Sequence, residues 1–122
     1  MTLPGVSRGR ARSHRVGLLA AGMLLAAAAS APAEEPVSRD LVIRDHKFEP
    51  AEIHVPARTR IVLQVENRDD TAEEWESTEL KIEKVIAGGR KTPVRLQPLE
   101  PGRYPFFGEY HSDTAQGVIV AE

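Results

Sequence analysis

Acidic and imidazole side chains spaced in a way that suits metal binding are concentrated in two segments of the sequence. In the first, Glu74 and Glu76 are separated by one residue, and Glu83 follows further along the chain. In the second, Glu109 and His111 are also separated by one residue. Side chains two residues apart point to the same side of an extended strand, so each pair is expected to converge. Carboxylate oxygens with one or two imidazole nitrogens form a hard donor set that suits iron, manganese or Cu(II).

Each of these residues also has an ordinary interpretation. Glu74 and Glu76 flank Trp75 in an acidic run, and such runs are normally solvated even where the indole between them is buried. Glu83 has basic sequence neighbours with which it can form a salt bridge, and His111 is a lone histidine in a turn-like segment. The residue types and their spacing leave both interpretations open.

Two further histidines differ in what their positions predict. His46 precedes the segment Phe48–Glu–Pro50 at the end of the first predicted strand, where it either supplies a second imidazole to the same site or caps a turn. His54 alternates with Ile53 and Val55, so it faces solvent if those two residues are buried. His46 is therefore kept as a candidate ligand and His54 is not.

Soft metal ligands are almost absent from the chain. It contains no cysteine, and its two methionines, Met1 and Met23, both lie in the first 33 residues. Disulfide stabilisation and cysteine-based catalysis are therefore excluded. No serine has the flanking residues of a hydrolase nucleophile, and the Gly88–Gly89 pair lacks the spacing of a phosphate-binding loop.

The amino-terminal segment has the pattern of a secretory signal peptide. Four arginines precede an apolar run over residues 16–29, and the small residues Ala31–Pro–Ala33 follow it. A membrane anchor is the alternative, but a span needs about 20 apolar residues and this run is shorter and rich in alanine. We therefore predict a signal peptide over residues 1–33 and an exported, periplasmic protein that is not membrane-embedded after cleavage.

The charge of the remaining chain argues against nucleic acid as a partner. Residues 1–33 hold four of the 16 Lys and Arg residues and none of the 18 Asp and Glu residues. Residues 34–122 therefore carry 12 basic and 18 acidic side chains, a formal net charge of −6. Proteins that bind a phosphate backbone present a basic surface.

The rest of the chain reads as one all-β domain over residues 39–122, after a flexible leader at residues 34–38. Short runs rich in β-branched or aromatic residues recur between turn signals, and no convincing helical stripe is present. The predicted strands contain Leu41–Ile43, Ile53–Val55, Ile61–Val65, Leu80–Ile82, Val94–Leu96, Tyr104–Phe107 and Val118–Val120, with Asn67–Asp70, Gly88–Gly89, Pro98–Gly102 and Gly117 as turns or loops. This pattern predicts a β-sandwich of about seven to eight strands.

Six segments taken in order resemble the cupredoxin family and cover almost all of residues 34–122. They are Phe48–Pro50, Ile53–Pro56, Val65–Asn67, Glu74–Glu76, Pro98–Tyr104 and Phe106–His111. Within that family, the combination of Glu–Trp–Glu, Glu83–Lys–Val and Phe–Phe–Gly–Glu–Tyr–His is most similar to the cysteine-free proteins of bacterial periplasmic iron-uptake systems. The resemblance implies a Greek-key β-sandwich.

The chain departs from electron-transfer cupredoxins at their copper ligands. The resemblance places Glu74 or its neighbour at the first histidine position and Gly108 at the cysteine position, while His111 is retained and no sulfur lies near Thr114. A blue copper centre, which needs a thiolate, cannot form. The resemblance instead implies a copper or iron ion held by other donors, drawn from Glu74, Glu76, Glu83, Glu109, His111 and His46.

The function implied by the resemblance is a periplasmic metal-binding component of an iron-uptake system. Its expected partners are a membrane iron permease and other periplasmic components of that system, and its expected role includes assisting Fe(II) oxidation before transport. Two alternatives remain, namely a non-enzymatic copper-binding or copper-delivery protein and a metal-free docking module.

Overall fold

The computed structural model describes residues 34–122 without interruption, together with residues 1–5, 7, 9, 17, 20–24 and 26. The chain divides into two units, Met1–Pro32 and Ala33–Glu122. Most of the predicted signal peptide, including its arginines and the Ala31–Pro–Ala33 motif, lies outside the described residues. Among the residues that are described, no helix has the length and apolar character needed to cross a membrane.

The second unit contains nine β-strands and one short 3₁₀ helix. The strands are β1 (Val37–Arg44), β2 (Lys47–Glu49), β3 (Glu52–Val55), β4 (Ile61–Asn67), β5 (Glu73–Ser77), β6 (Ile82–Ile86), β7 (Lys91–Leu96), β8 (Gly102–Gly108) and β9 (Gln116–Ala121). The 3₁₀ helix, Glu109–His111, joins β8 to β9. The predicted strand number of seven to eight is too low because β2 and β5 are short and carry mostly charged side chains.

Two sequence-based assignments are wrong. The predicted strand Leu80–Ile82 is a turn up to Lys81, whose φ of 55° is incompatible with an extended strand, and β6 begins at Ile82. Gly117 is predicted in a turn but lies within β9. The ring of Phe106 occupies the space that a side chain at Gly117 would need. The first strand begins at Val37.

The strands form two sheets packed face to face, which confirms the predicted all-β sandwich. The order is β2-β1-β4-β7 in the four-stranded sheet and β3-β9-β8-β5-β6 in the five-stranded sheet. Two neighbouring pairs, β1 with β4 and β3 with β9, are parallel, and the other pairs are antiparallel. In this order β5 and β6 lie together at one edge of the five-stranded sheet.

The core between the sheets fixes which way the side chains of β5 point. Trp75 is fully buried and its ring stacks on Phe106 at a centroid distance of 5.3 Å, while Phe48 meets Phe106 edge-on at 5.0 Å. Burying an aromatic side chain of this size contributes more than any smaller core residue. Because successive strand residues alternate, the inward position of Trp75 directs Glu74 and Glu76 to the outer face.

Candidate metal centre

Three carboxylates converge on the outer face of the five-stranded sheet. Glu74 and Glu76 project from β5 and Glu83 from β6, and one oxygen of each lies within 4.8 Å of the others. The strand register explains this arrangement, since Glu76 is directly opposite Glu83 and Glu74 is opposite Val85. We call Glu74, Glu76 and Glu83 the acidic triad. The alternation predicted around Trp75 is therefore confirmed.

The three carboxylates of the acidic triad lie close together without forming salt bridges to basic side chains of residues 34–122. Partial burial, together with the charges of Glu83, Glu109 and Glu74, raises the pKa of Glu76 above its ordinary value. Like charges directly opposite each other in a sheet are destabilising. A bound cation would remove this repulsion.

A shallow cavity of about 350 Å³ lies next to the triad. Its lining includes Glu76 and Glu83 together with Thr78, Lys81 and Ile82. Two of the three carboxylates are therefore accessible to a small solute. Glu109 is exposed and close enough for its charge to affect Glu76, but it is not a member of the triad.

His111 is held by a buried carboxylate that the sequence did not point out. Its Nδ1 lies 2.6 Å from Oε2 of Glu73, which is 1% exposed. The other oxygen, Oε1, accepts the backbone N–H groups of Glu74 and Tyr110, each at 3.0 Å. Because Oε2 of Glu73 is available as an acceptor, the tautomer of His111 with its hydrogen on Nδ1 fits this contact. Nε2 is then the nitrogen left with a lone pair.

Gly108 makes room for this buried carboxylate. A Cβ atom at residue 108 would lie 2.5 Å from Cδ of Glu73 and 2.8 Å from Cβ of Ala115. The position that the resemblance matched to the copper-binding cysteine thus has no side chain, and the carboxyl group of Glu73 occupies the space beside it. Glu73 was missed because an inward-facing glutamate has the same sequence signature as its solvated neighbours.

His46 lies against His111 rather than beside the acidic triad. The two imidazole rings are stacked, with centroids 3.5 Å apart and planes 13° from parallel. Nitrogen lone pairs lie in the plane of each ring, so nearly parallel rings direct them side by side and not towards one point. The structure therefore divides the six predicted ligands into the triad, the stacked histidines and Glu109. The predicted convergence of Glu109 with His111 is wrong, because the two lie on a 3₁₀ helix, where residues two apart do not share a face. The roles of the predicted ligands in metal binding stay predictions.

The loop that carries His46 is fixed by Asp69. The two carboxylate oxygens of Asp69 accept the backbone N–H groups of Asp45, at 2.8 Å, and His46, at 3.0 Å. Both Asp45 and His46 have a positive φ. Although partial burial acts to raise the pKa of Asp69, these N–H donors and the nearby imidazoles of His46 and His111 hold that pKa below its ordinary value. Asp69 is thus a carboxylate that stabilises a strained turn.

Replacing Asp69 with alanine is expected to lower the free energy of unfolding by about 2 kcal/mol, because two N–H groups lose a charged acceptor. A group whose folded pKa is depressed contributes stability above its ordinary pKa and loses it as the pH falls. Urea unfolding at neutral pH and at pH values below the ordinary pKa of aspartate measures both effects. Asp69→Asn, which keeps one acceptor oxygen, should lose less. Equal stability of wild type and Asp69→Ala in neutral solution would contradict this role.

His54 lies in a different part of the domain from the candidate ligands. Its Nδ1 is 2.8 Å from Oε1 of Glu122 and its Nε2 is 3.4 Å from Oε1 of Glu52, and its side chain is 57% exposed. This is the solvent-facing position expected from its alternation with Ile53 and Val55. Exposed pairs of this kind contribute little to stability.

Comparison with protein families identifies one match that covers most of the chain. The sequence pattern of a family described as "Cupredoxin-like domain" matches residues 17–121. An uncharacterised protein of Rickettsia prowazekii (strain Madrid E) is 46% identical over 80 residues. That alignment covers 66% of this chain and 64% of the Rickettsia protein, so the match spans less than two thirds of that relative.

Solved structures share the fold at low sequence identity. Auracyanin A, a blue copper protein from Chloroflexus aurantiacus, superposes with a TM-score of 0.63 at 15% identity, covering 72% of this chain and all of that protein. The metal-binding domain of the Streptococcus pneumoniae D39 Cu(I)-exporting P-type ATPase CopA gives a TM-score of 0.62 at 16% identity, covering 73% and 89%. At such identities the similarity establishes the fold alone.

Proposed function

Because the chain belongs to the cupredoxin-like domain family, we propose that it is a metal-binding member of that family whose ligands are carboxylate oxygens. A thiolate centre is excluded since the chain has no cysteine. The observation that carries the proposal is the convergence of Glu74, Glu76 and Glu83 within 4.8 Å, with no salt bridge to any of them from the described part of the chain. Three anionic oxygens suit a hard cation, and they stabilise Fe(III) over Fe(II).

The finer proposal is that iron is the cargo of this site and that the protein works in a periplasmic iron-uptake system. The resemblance of its Glu–Trp–Glu and Phe–Phe–Gly–Glu–Tyr–His segments to that group supports this role. Carboxylate ligands would favour loss of one electron from bound Fe(II), with dissolved oxygen as the acceptor, before a membrane permease takes up the ion. The net charge of −6 over residues 34–122 also concentrates cations near the protein.

Copper handling is the second candidate, and the arrangement of His111 favours it. An imidazole whose Nδ1–H is bound by a carboxylate is typical of transition-metal ligands, because the carboxylate orients the ring and increases its basicity. Cu(II) also binds nitrogen and oxygen donors more tightly than Fe(II) or Zn(II) does. Copper binding in solution would therefore not by itself identify copper as the native metal.

Equilibrium titration of metal-free protein with Fe(II) without oxygen, Ga(III) as a redox-inert substitute for Fe(III), and Cu(II) tests the proposal. We expect the trivalent ion to bind more tightly than Fe(II) and to lose affinity in a Glu74→Gln/Glu76→Gln variant. Cu(II) should give only weak visible absorption, because no thiolate is available. Loss of Cu(II) binding in His111→Ala alone would favour the copper role, and no binding of any ion would leave a docking module.

A further inference from the structure

One edge of the five-stranded sheet is open. Four strands lie at sheet edges, namely β2, β3, β6 and β7. β2 has three residues, β3 has four, and β7 contains Pro93, which lacks a backbone donor. β6 has five residues and neither proline nor glycine. Short length, proline and charged side chains are the usual protections of an edge strand. β6 has only the charged side chains, Glu83 and Lys84, which select for a partner of complementary charge.

The free side of β6 has no partner within residues 34–122. Its backbone pairs with β5, and the one further hydrogen bond that the described residues make to a backbone group of β6 is accepted by the Ile86 carbonyl from Nδ2–H of Asn67 at 3.0 Å. Glu83, Lys84 and Val85 are all exposed, and Val85 is 51% exposed although it is apolar. An exposed apolar side chain on an open edge is the feature that strand addition would cover.

The side chains of β6 define what an added strand must carry. Glu83 and Val85 point to the outer face, beside Glu76 and Glu74, and Lys84 points to the other side. Directly opposite residues of neighbouring strands interact, so the added strand should place a basic residue beside Glu83 and an apolar one beside Val85. An acidic residue between them would face Lys84.

We propose that the β6 edge is a docking site for an extended segment of another protein, which adds as a sixth strand and places a basic and an apolar side chain, two residues apart, over Glu83 and Val85. Charge complementarity decides against a second copy of this chain, because a copy aligned with its acidic triad on the same face brings three more carboxylates to the junction. The proposal does not depend on metal binding by the triad.

The test is an NMR titration of metal-free protein with the peptide acetyl-Thr-Val-Glu-Lys-Thr-Val-amide, which places valine and lysine two residues apart for antiparallel pairing. We expect saturable amide shifts confined to β5, β6 and their flanking turns. Val85→Thr, which keeps the branched shape, should weaken binding, and Val85→Glu should weaken it about fivefold or more. Val120→Glu is the matched control, since Val120 lies on the same outer face in β9, away from this edge.

Two control peptides separate strand addition from simple charge attraction. Replacing the lysine with glutamate, or methylating alternate backbone nitrogens, should each abolish saturable binding. Equal binding of either control peptide, unchanged binding by both Val85 variants, shifts that map to β3 or β7, or no saturation at millimolar peptide would each overturn the proposal. Sedimentation that shows a dimer broken by Val85→Glu would overturn it in favour of a second copy.

Discussion

Gly108→Ala is expected to lower the free energy of unfolding by about 3 kcal/mol, at the upper end of the cost of overpacking a core. The added methyl group would lie 2.5 Å from Cδ of Glu73 and 2.8 Å from Cβ of Ala115, and both of these residues are buried. Displacing Glu73 also weakens its hydrogen bonds to His111 and to two backbone N–H groups. In a domain of this size the melting temperature should fall by more than about 10 °C.

Gly102→Ala is the matched control at the other end of the same strand. A methyl group at Gly102 would come no closer than 3.7 Å to the ring of Tyr104, which is an ordinary contact. We expect its effect to stay within about 0.5 kcal/mol. A Glu73→Ala background removes the carboxyl group and should reduce the penalty of Gly108→Ala, which a double-mutant cycle measures. If Gly108→Ala lowered the free energy of unfolding equally in both backgrounds, the clash with Glu73 would not be its cause.

A change at residue 108 also tests how the ring of His111 is held. If Gly108 serves only to admit Glu73, then the ring of His111 should lose its fixed orientation in Gly108→Ala while the sandwich remains. The imidazole ¹⁵N and ¹H signals of His111 report this, since its Nδ1–H gains protection from exchange through the 2.6 Å contact with Glu73. The acidic triad, which uses neither residue, should keep its metal affinity.

The fold could be predicted from sequence because its core positions alternate clearly. Ile61, Leu63 and Val65 read as one face of a strand, and all three are buried in the structure. The same rule places Glu74 and Glu76 on one face, because the large apolar Trp75 between them is expected to point into the core. A period of two residues is a local feature, so it can be recognised in the sequence without knowing which strands lie next to each other.

The parts that could not be predicted depend on contacts between distant segments. The pairing of Glu76 with Glu83 requires the β5–β6 register, which is set by the turn that contains Lys81 and joins the two strands. Glu73 is an acidic residue in an acidic run, and only the absence of a side chain at Gly108 explains how it can be buried. The sequence feature that could have indicated the burial of Glu73 is Gly108, a glycine at the end of a strand rich in aromatic residues.

The division of the candidate ligands into two groups follows from the same geometry. β5 carries Glu73 inward and Glu74 outward, so adjacent residues of one strand serve opposite sides of a sheet. The inward residue fixes His111 and the outward one joins the triad. A change that acts on one group should therefore leave the other nearly intact, which makes the two groups separable by single substitutions.

Glu76→Gln is expected to weaken binding of a trivalent cation by at least the 10- to 100-fold that loss of a supporting partner typically costs, because it removes an anionic ligand itself. Glu76 lies between Glu74 and Glu83, so its carboxylate is central to the triad. Glutamine keeps the shape and one oxygen but removes the charge. Glu79→Gln is the matched control, since Glu79 is exposed, nearby in sequence and outside the triad.

Glu76→Gln, which weakens metal binding, should increase the stability of the metal-free protein. The pKa of Glu76 is raised in the fold by partial burial and by the charges of Glu83, Glu109 and Glu74. A carboxyl group with a raised folded pKa contributes stability below its ordinary pKa, and that contribution is lost as the pH rises through the folded value. Glu76→Gln should therefore make the metal-free protein more stable at neutral pH and flatten this part of its pH profile, as urea unfolding across the acid range would measure. A purely structural role for Glu76 predicts lower stability in the variant, and unchanged metal affinity alongside higher stability would leave the triad as a repulsive surface without a cation.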